Sequence, residues 1–138
     1  KENNLPDGFK YNGELQFGYD ADSINRLNAF VLCGVKKAAC STLVSYELDM
    51  ISVPKKNNYY VLTDSMEQAV CIIKDVNVSI MAFNQMYWEL AQKEGEDSSM
   101  EEWRESHREY FEDEAIELGT EFNDSSLIVF EEFEVVYK

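Results

Sequence analysis

The chain predicts a small mixed α+β barrel, mostly antiparallel, with helices packed against its outside. Three features lead there. A helical apolar repeat near residues 22–33 precedes a series of strand-like runs. "YYVLTD" and "QAVCIIKDVNVSI" flank "SMEQ", which reads as a hairpin whose second arm is long enough to bend across a barrel. Near the end, Phe133, Val135 and Tyr137 alternate with Glu132 and Glu134, as in a strand with one buried face. The order helix, mostly strand, helix, strand argues against a doubly wound parallel sheet. Four strand-like runs need closure or cover to avoid open edges.

The elements follow in order. Residues 1–20, with Pro6, Gly8, Gly13 and Gly18, read as an irregular lead-in. Asp22 or Ser23 is placed to cap a helix in which Ile24, Leu27, Phe30 and Val31 recur at helical spacing, and Gly34 ends it. Ala38 to Tyr46, small and β-branched, predicts a strand, and Asp49 to Asn58, with Pro54 and "KKNN", a loop. After the hairpin, Asn84 is placed to cap a short helix through Met86, Trp88 and Leu90. "KEGEDSS" is an acidic loop, and Ser99 with Glu102 forms a capping-box pattern opening a helix from Met100 to Leu118, stopped by Gly119. "NDSS" turns the chain into the closing strand.

At 138 residues, with 45% hydrophobic and 13% aromatic content, the sequence reads as one packed domain over 1–138. No run approaches the ~18 apolar residues of a membrane span, and "KENNLPDGFK" has no apolar signal core, so a cytoplasmic protein with no membrane partner is expected. Twenty-seven acidic residues against 12 basic ones give a net charge of −15. Tight binding of long duplex nucleic acid draws on several Lys or Arg contacts on one face, so this surface argues against it. A locally held ligand remains open, because charge effects are screened beyond ~8–10 Å.

Cys33, Cys40 and Cys71 form no Cys-x-x-Cys pair, histidines are not clustered, and no metal or cofactor is expected; the cysteines read as core packing. The Walker, nucleophile-elbow, His-Glu-x-x-His and dinucleotide glycine patterns are missing. Glu94, Glu96 and Asp97 match no EF-hand spacing and read as a solvated run. On the second helix, Met100, Trp103, His107, Phe111, Glu114 and Leu118 share a stripe with Arg104 at its edge. His107 is there either a satisfied interior histidine or, with Arg104, the lining of a pocket and a general acid. Glu114 is expected to pair with Arg104 or another base at the core edge. "GVKK" leaves Lys36 and Lys37 after a helix-ending glycine, aimed at opposite faces, where such a pair ordinarily reads as a solvated turn that favours the helix's negative end.

Taken together, "DSINRLNAFVLCGVKKAACSTLVSYE", "VCIIKDVNVSIMAFNQM", "EGEDSSMEEWRESHREYFEDEAIELGTEF" and "EEFEVVY" resemble the ASCH domain family, whose fold is PUA-like, over residues ~15–137. The Trp103, Arg104, His107 segment is the most specific. The resemblance implies a barrel with flanking helices, a cleft near the Gly-x-Lys step, and action on RNA or modified nucleosides. One branch of the family resembles acetylcytidine amidohydrolases that use a lysine, a threonine three residues later, and a glutamate. Lys36 and Glu96 match the first and last, but Ala39 stands at the threonine position. Ser41 points the same way as Ala39 but lies ~6.5–7 Å along a strand, so acetylcytidine hydrolysis is not expected.

The reading is a binding module whose partner is a nucleoside, nucleotide or short RNA element. Lys36, Glu96, Arg104 and His107 converge on one cleft, with Ser41 nearby and Tyr46 or Phe17 stacking on a base. The rival is a hydrolase, amide-cleaving or ribonucleolytic, using Lys36, Glu96 and His107. A third reading is a cleft that serves a protein partner.

Overall fold

In the computed structural model, residues 12–138 are described; residues 1–11, including Pro6 and Gly8 of the expected lead-in, lie outside the described residues. The lead-in is not wholly irregular, because Gly13–Leu15 is a strand, β1, parallel to β3 (Tyr59–Thr63). Helix α1 runs Ala21–Leu32. Its cap is Asp20 rather than Asp22 or Ser23. The Asp20 carboxylate accepts from Ser23 N at 2.8 Å, and Ser23 Oγ accepts from Asp20 N at 3.1 Å. Gly18 permits this entry, since its φ is +94° and an added Cβ would stand 2.8 Å from Ser23 Oγ. Ile24, Leu27, Asn28 and Val31 form the buried stripe of α1, with Asn28 in the place expected for Phe30; its amide donates to the Thr63 carbonyl at 3.2 Å.

Strand β2 covers only Ala38–Thr42, and Leu43–Asp49 forms helix α2, so the strand expected through Tyr46 is four residues too long. The reason is register. Thr42 pairs with Ile128, and β5 (Leu127–Tyr137) begins one residue before Ile128, so a longer β2 meets no ladder partner. The hairpin is as predicted, with β4 at Ala69–Ala82. Register shifts at Ile72/Ile73 and Asp75/Asn77 let this long strand bend. The short helix expected from Asn84 is instead a 3-10 turn, Phe83–Gln85, followed by helix α3 at Trp88–Ala91 and a second 3-10 turn at Gln92–Glu94. Helix α4, Met100–Leu118, has the predicted limits. Ser99 Oγ accepts from Glu102 N at 3.1 Å, while the Glu102 carboxylate reaches Ser98 N at 2.7 Å.

Among the described residues the strands make one five-stranded sheet, order β1-β3-β4-β5-β2, antiparallel except at β1–β3, curled into a half-barrel with four helices. The α+β class and the mostly antiparallel curl match the prediction. Two cores follow from the two sheet faces. On one, Phe83, Trp103 and Phe111 pack on Ala38, Ile128 and Phe130. On the other, Val31 of α1 packs on Leu62, Cys71, Ile73 and Phe133. Cys71 is buried and Cys40 half-buried, but Cys33 is exposed at the end of α1, contrary to the packing expected of all three. Among the described residues no helix is long and apolar enough to cross a membrane.

Candidate functional site

Lys36 leaves α1 through Gly34 and is drawn inside, 3% exposed, while Lys37 stays exposed. The Lys36 ammonium uses all three hydrogens. It donates to the Ala38 carbonyl at 2.7 Å, to Glu96 Oε2 at 2.8 Å and, more weakly, to the Glu94 carbonyl at 3.4 Å. The Glu94 carboxylate lies 3.9 Å away, and the Phe17 ring centroid 5.2 Å. The acidic loop is therefore only partly a solvated run: Glu94 is 4% exposed and belongs to the interior.

Two backbone features bring that loop down onto Lys36. Lys37 N donates to the Lys93 carbonyl at 2.7 Å. Gly95, φ +77°, comes so close to Val35 that an added Cβ would lie 2.4 Å from the Val35 carbonyl oxygen. Glycine is thus required at 95 for conformation and for space.

Glu94 is the hub. It accepts from the Trp103 indole N–H at 2.8 Å and stands 3.1 Å from His107 Nε2. His107 Nδ1 is 2.9 Å from the Trp103 carbonyl. The nearest partners of the two ring nitrogens, the Trp103 carbonyl and the Glu94 carboxylate, are acceptors, with the Ser106 hydroxyl farther from Nδ1 at 3.4 Å, and this setting favours the imidazolium. Its ring stacks on Trp103 at 4.1 Å between centroids. Burial lowers the His107 pKa, but Glu94 outweighs it and the net shift is upward. Burial raises the Glu94 pKa, and His107, Lys36 and Trp103 outweigh it, holding the carboxyl below its ordinary range. Two cations and two carboxylates balance here in a largely dry volume.

Of the residues expected to converge, Lys36, Glu96 and His107 are brought together, with Glu94 as an unforeseen bridge. Arg104 is not. Its guanidinium donates to the carbonyls of Phe83 and Met86 at 3.0 and 2.9 Å and lies 5.3 Å over the Phe83 ring, so it pins the 3-10 turn. Nor, among the described residues, does Glu114 pair with Arg104 or another base; it accepts from Thr42 Oγ1 at 3.2 Å. Phe17 stacks on Phe133 at 5.6 Å beneath Lys36. Tyr46 sits on α2, not on a strand. Burial pushes its hydroxyl up to about 12, with a hydrogen bond to Ser41 acting the other way. Ala39 pairs with Glu131 across the β2–β5 ladder.

Sequence reasoning missed a second polar group, Asp75, Glu131 and Tyr60, of which Glu131 feels the Lys36 charge. Alternation carried the signal. Asp75 follows Cys71 and Ile73 on the buried face of β4, and Glu131 shares a face with Phe133. A separate apolar cleft of about 260 Å³ lies between α2 and α4, lined by Leu43, Phe111, Leu118 and Phe122. Among the described residues no group of three or more His, Cys, Asp or Glu is placed to hold a metal ion.

The comparisons agree with this architecture. A crystal structure of an ASCH domain from Lactobacillus crispatus JV V101 superposes with TM-score 0.86 at 32% identity, covering 95% of this chain and 83% of that one. A protein from Enterococcus faecalis V583 gives TM-score 0.82, 32% identity and coverage of 88% and 74%. A hypothetical protein at 16% identity, TM-score 0.56, covering 93% of this chain and 100% of that one, shares the fold alone. No curated protein matches significantly. The ASCH domain family model matches residues 14–137, nearly the whole of the described chain, and the protein belongs to the ASCH domain family.

Proposed function

We propose that this protein is a binding module for a nucleobase, nucleoside or short single-stranded RNA element, held where Lys36 meets the rim of the sheet. One observation carries the reading: the Lys36 ammonium is buried, yet one of its acceptors, Glu96, has a side chain 32% exposed. A buried ion network is a poor stabiliser compared with apolar packing, so its presence beside a partly exposed carboxylate favours a working site. A ligand carbonyl or phosphate oxygen that displaces the Glu96 carboxylate inherits a desolvated cation, where a hydrogen bond is strong. Tyr46, half-buried, supplies an aromatic surface for a base. The net charge of −15 restricts the ligand to something short or weakly charged.

The test is a titration of the full chain with nucleosides, mononucleotides and four- to six-nucleotide RNAs, followed by thermal shift and calorimetry. Glu96→Gln removes the competing carboxylate and strengthens binding of carbonyl- or phosphate-bearing ligands. If none of these ligands at millimolar concentration raises the melting temperature, the reading fails.

A hydrolase is the second reading, favoured by the continuous line ammonium–carboxylate–imidazolium through Lys36, Glu94 and His107, a ready path for proton transfer. Against it stand the methyl group of Ala39 and a Ser41 hydroxyl already engaged by Tyr46. Product release from acetylcytidine or RNA that is lost in His107→Gln favours this reading over simple binding.

A further inference from the structure

Asp75 on β4 and Glu131 on β5 share a sheet face, with Glu131 opposite Val78 and Asp75 opposite Phe133. Both carboxyls are inside the protein, 0% and 5% exposed. Among the described residues no donor group reaches either oxygen of Asp75 or Oε2 of Glu131. The groups facing them from the surrounding elements are Tyr46 of α2, Tyr60 of β3 and Lys36 ahead of β2. Buried acceptors almost always have donors, so three without one at a single spot call for an explanation. In the free protein the pair relieves itself by sharing a proton. Burial first, then Glu131, raises Asp75 to about 9, and burial raises Glu131 as well.

Access comes from the way this face is covered. Beyond the pair the same face is open: Val78 is half-buried and Ile80 is 51% exposed, an apolar shelf next to the carboxyls. Tyr46, whose hydroxyl feels the charge of both carboxyls, is carried by α2, a helix of seven residues none of which is buried. A helix without a buried face is the part of a structure that opens most readily.

We propose that Asp75 and Glu131 are the base-reading residues of the cleft and accept a planar pair of N–H donors from a nucleobase, such as the ring N–H and exocyclic amine of guanine, once Tyr46 has moved aside. This rests on the nucleoside-binding reading and adds to it the class of base. The ligand's N–H groups take the place of the shared proton. The carboxyl O–H bond breaks, the proton passes to the buffer, and no covalent bond to the ligand forms. A structural carboxyl pair would not discriminate between bases or release a proton on binding.

The experiment is calorimetry of the full chain with guanosine and with inosine, which keeps the ring N–H and lacks the exocyclic amine. It is run at pH 6, 7 and 8 in phosphate and in Tris. Guanosine is expected to bind about tenfold more tightly than inosine or better, since the missing donor strands a buried acceptor. Guanosine affinity is expected to rise from pH 6 to pH 8, and the heat to differ between buffers by the ionisation of one proton. Asp75→Asn, nearly isosteric, and Glu131→Gln both abolish the preference and the pH dependence while circular dichroism stays native. Guanosine binding with no preference over inosine, or without proton release, overturns this inference and leaves the binding module standing. Absence of binding by every nucleoside and short RNA overturns both.

Discussion

Replacing Lys36 by methionine tests whether the interior ion network holds the structure together as the distances require. The methionine stem occupies the same channel but leaves Glu94, 3.9 Å away and with its side chain 5% exposed, facing one cation instead of two. At an effective dielectric of about 20, two unit charges at that distance interact by about 4 kcal/mol. Stranding one member of a buried pair costs about 3–5 kcal/mol. With about 2.1 cal/mol/K of unfolding entropy per residue over 138 residues, that is a fall in melting temperature of about 10–17 °C. Thermal unfolding followed by circular dichroism reads it directly. The double variant Lys36→Met/Glu94→Gln regains part of the loss, with a coupling of about 2 kcal/mol or more, because the orphaned charge is gone. A single variant melting within about 3 °C of the parent, or effects additive to within about 0.5 kcal/mol, would refute the network as described.

Four further outcomes follow from the same geometry. The raised His107 pKa contributes stability that is complete below about pH 6.5 and lost as pH rises through the raised value; Glu94, depressed, contributes above its ordinary range and loses it as pH falls. The urea midpoint therefore declines on the alkaline side, and His107→Gln makes that decline shallower; an unchanged slope contradicts the imidazolium assignment. Asp75, raised to about 9, has the opposite effect for an acid, withdrawing stability as pH rises from about 4 towards 9, so Asp75→Asn gains about 1–4 kcal/mol at pH 7 and an equal or lower melting temperature counts against the proton-sharing pair. Trp103→Phe keeps the ring but removes the indole N–H from Glu94, costing about 1.5–3 kcal/mol by chemical denaturation; a loss under about 0.5 kcal/mol means Glu94 does not need that donor. Random duplex RNA at physiological salt binds more weakly than micromolar, and sub-micromolar affinity with a steep salt slope would show an overlooked basic track.

What the sequence disclosed and what it withheld divide along physical lines. Signals local to a few residues were readable: Ser99 and Gly119 as the limits of α4, the hairpin around "SMEQ", and the opposite faces of Lys36 and Lys37. The spaced set around Trp103 carries the resemblance to the family. Tyr46 was misplaced because nothing in "STLVSYE" announces that β5 begins at Leu127 and leaves the ladder without a partner beyond Thr42. Glu94 was misread because a run of charges looks solvated until Gly95 is seen to seat it against Val35. Asp75 and Glu131 were visible as polar residues in phase with buried neighbours, but whether two such residues face each other is a matter of strand pairing across more than fifty positions of chain.

The β2–β5 ladder sets when, during folding, the site exists. Lys36 leads into β2, and among the described residues β2 pairs in the sheet with β5 alone, the strand that comes latest in sequence. The contact from Lys36 to Glu96 closes a span of 60 residues, so its entropy must be met before the contact forms. A chain emerging from the ribosome as far as α4 holds Lys36 and the acidic loop, but not the strand that pairs with β2. The proposed site is therefore a property of the finished fold and not of its nascent fragments, and a chain stopped before Leu127 contains Lys36, Glu94 and His107 without the strand that pairs with β2.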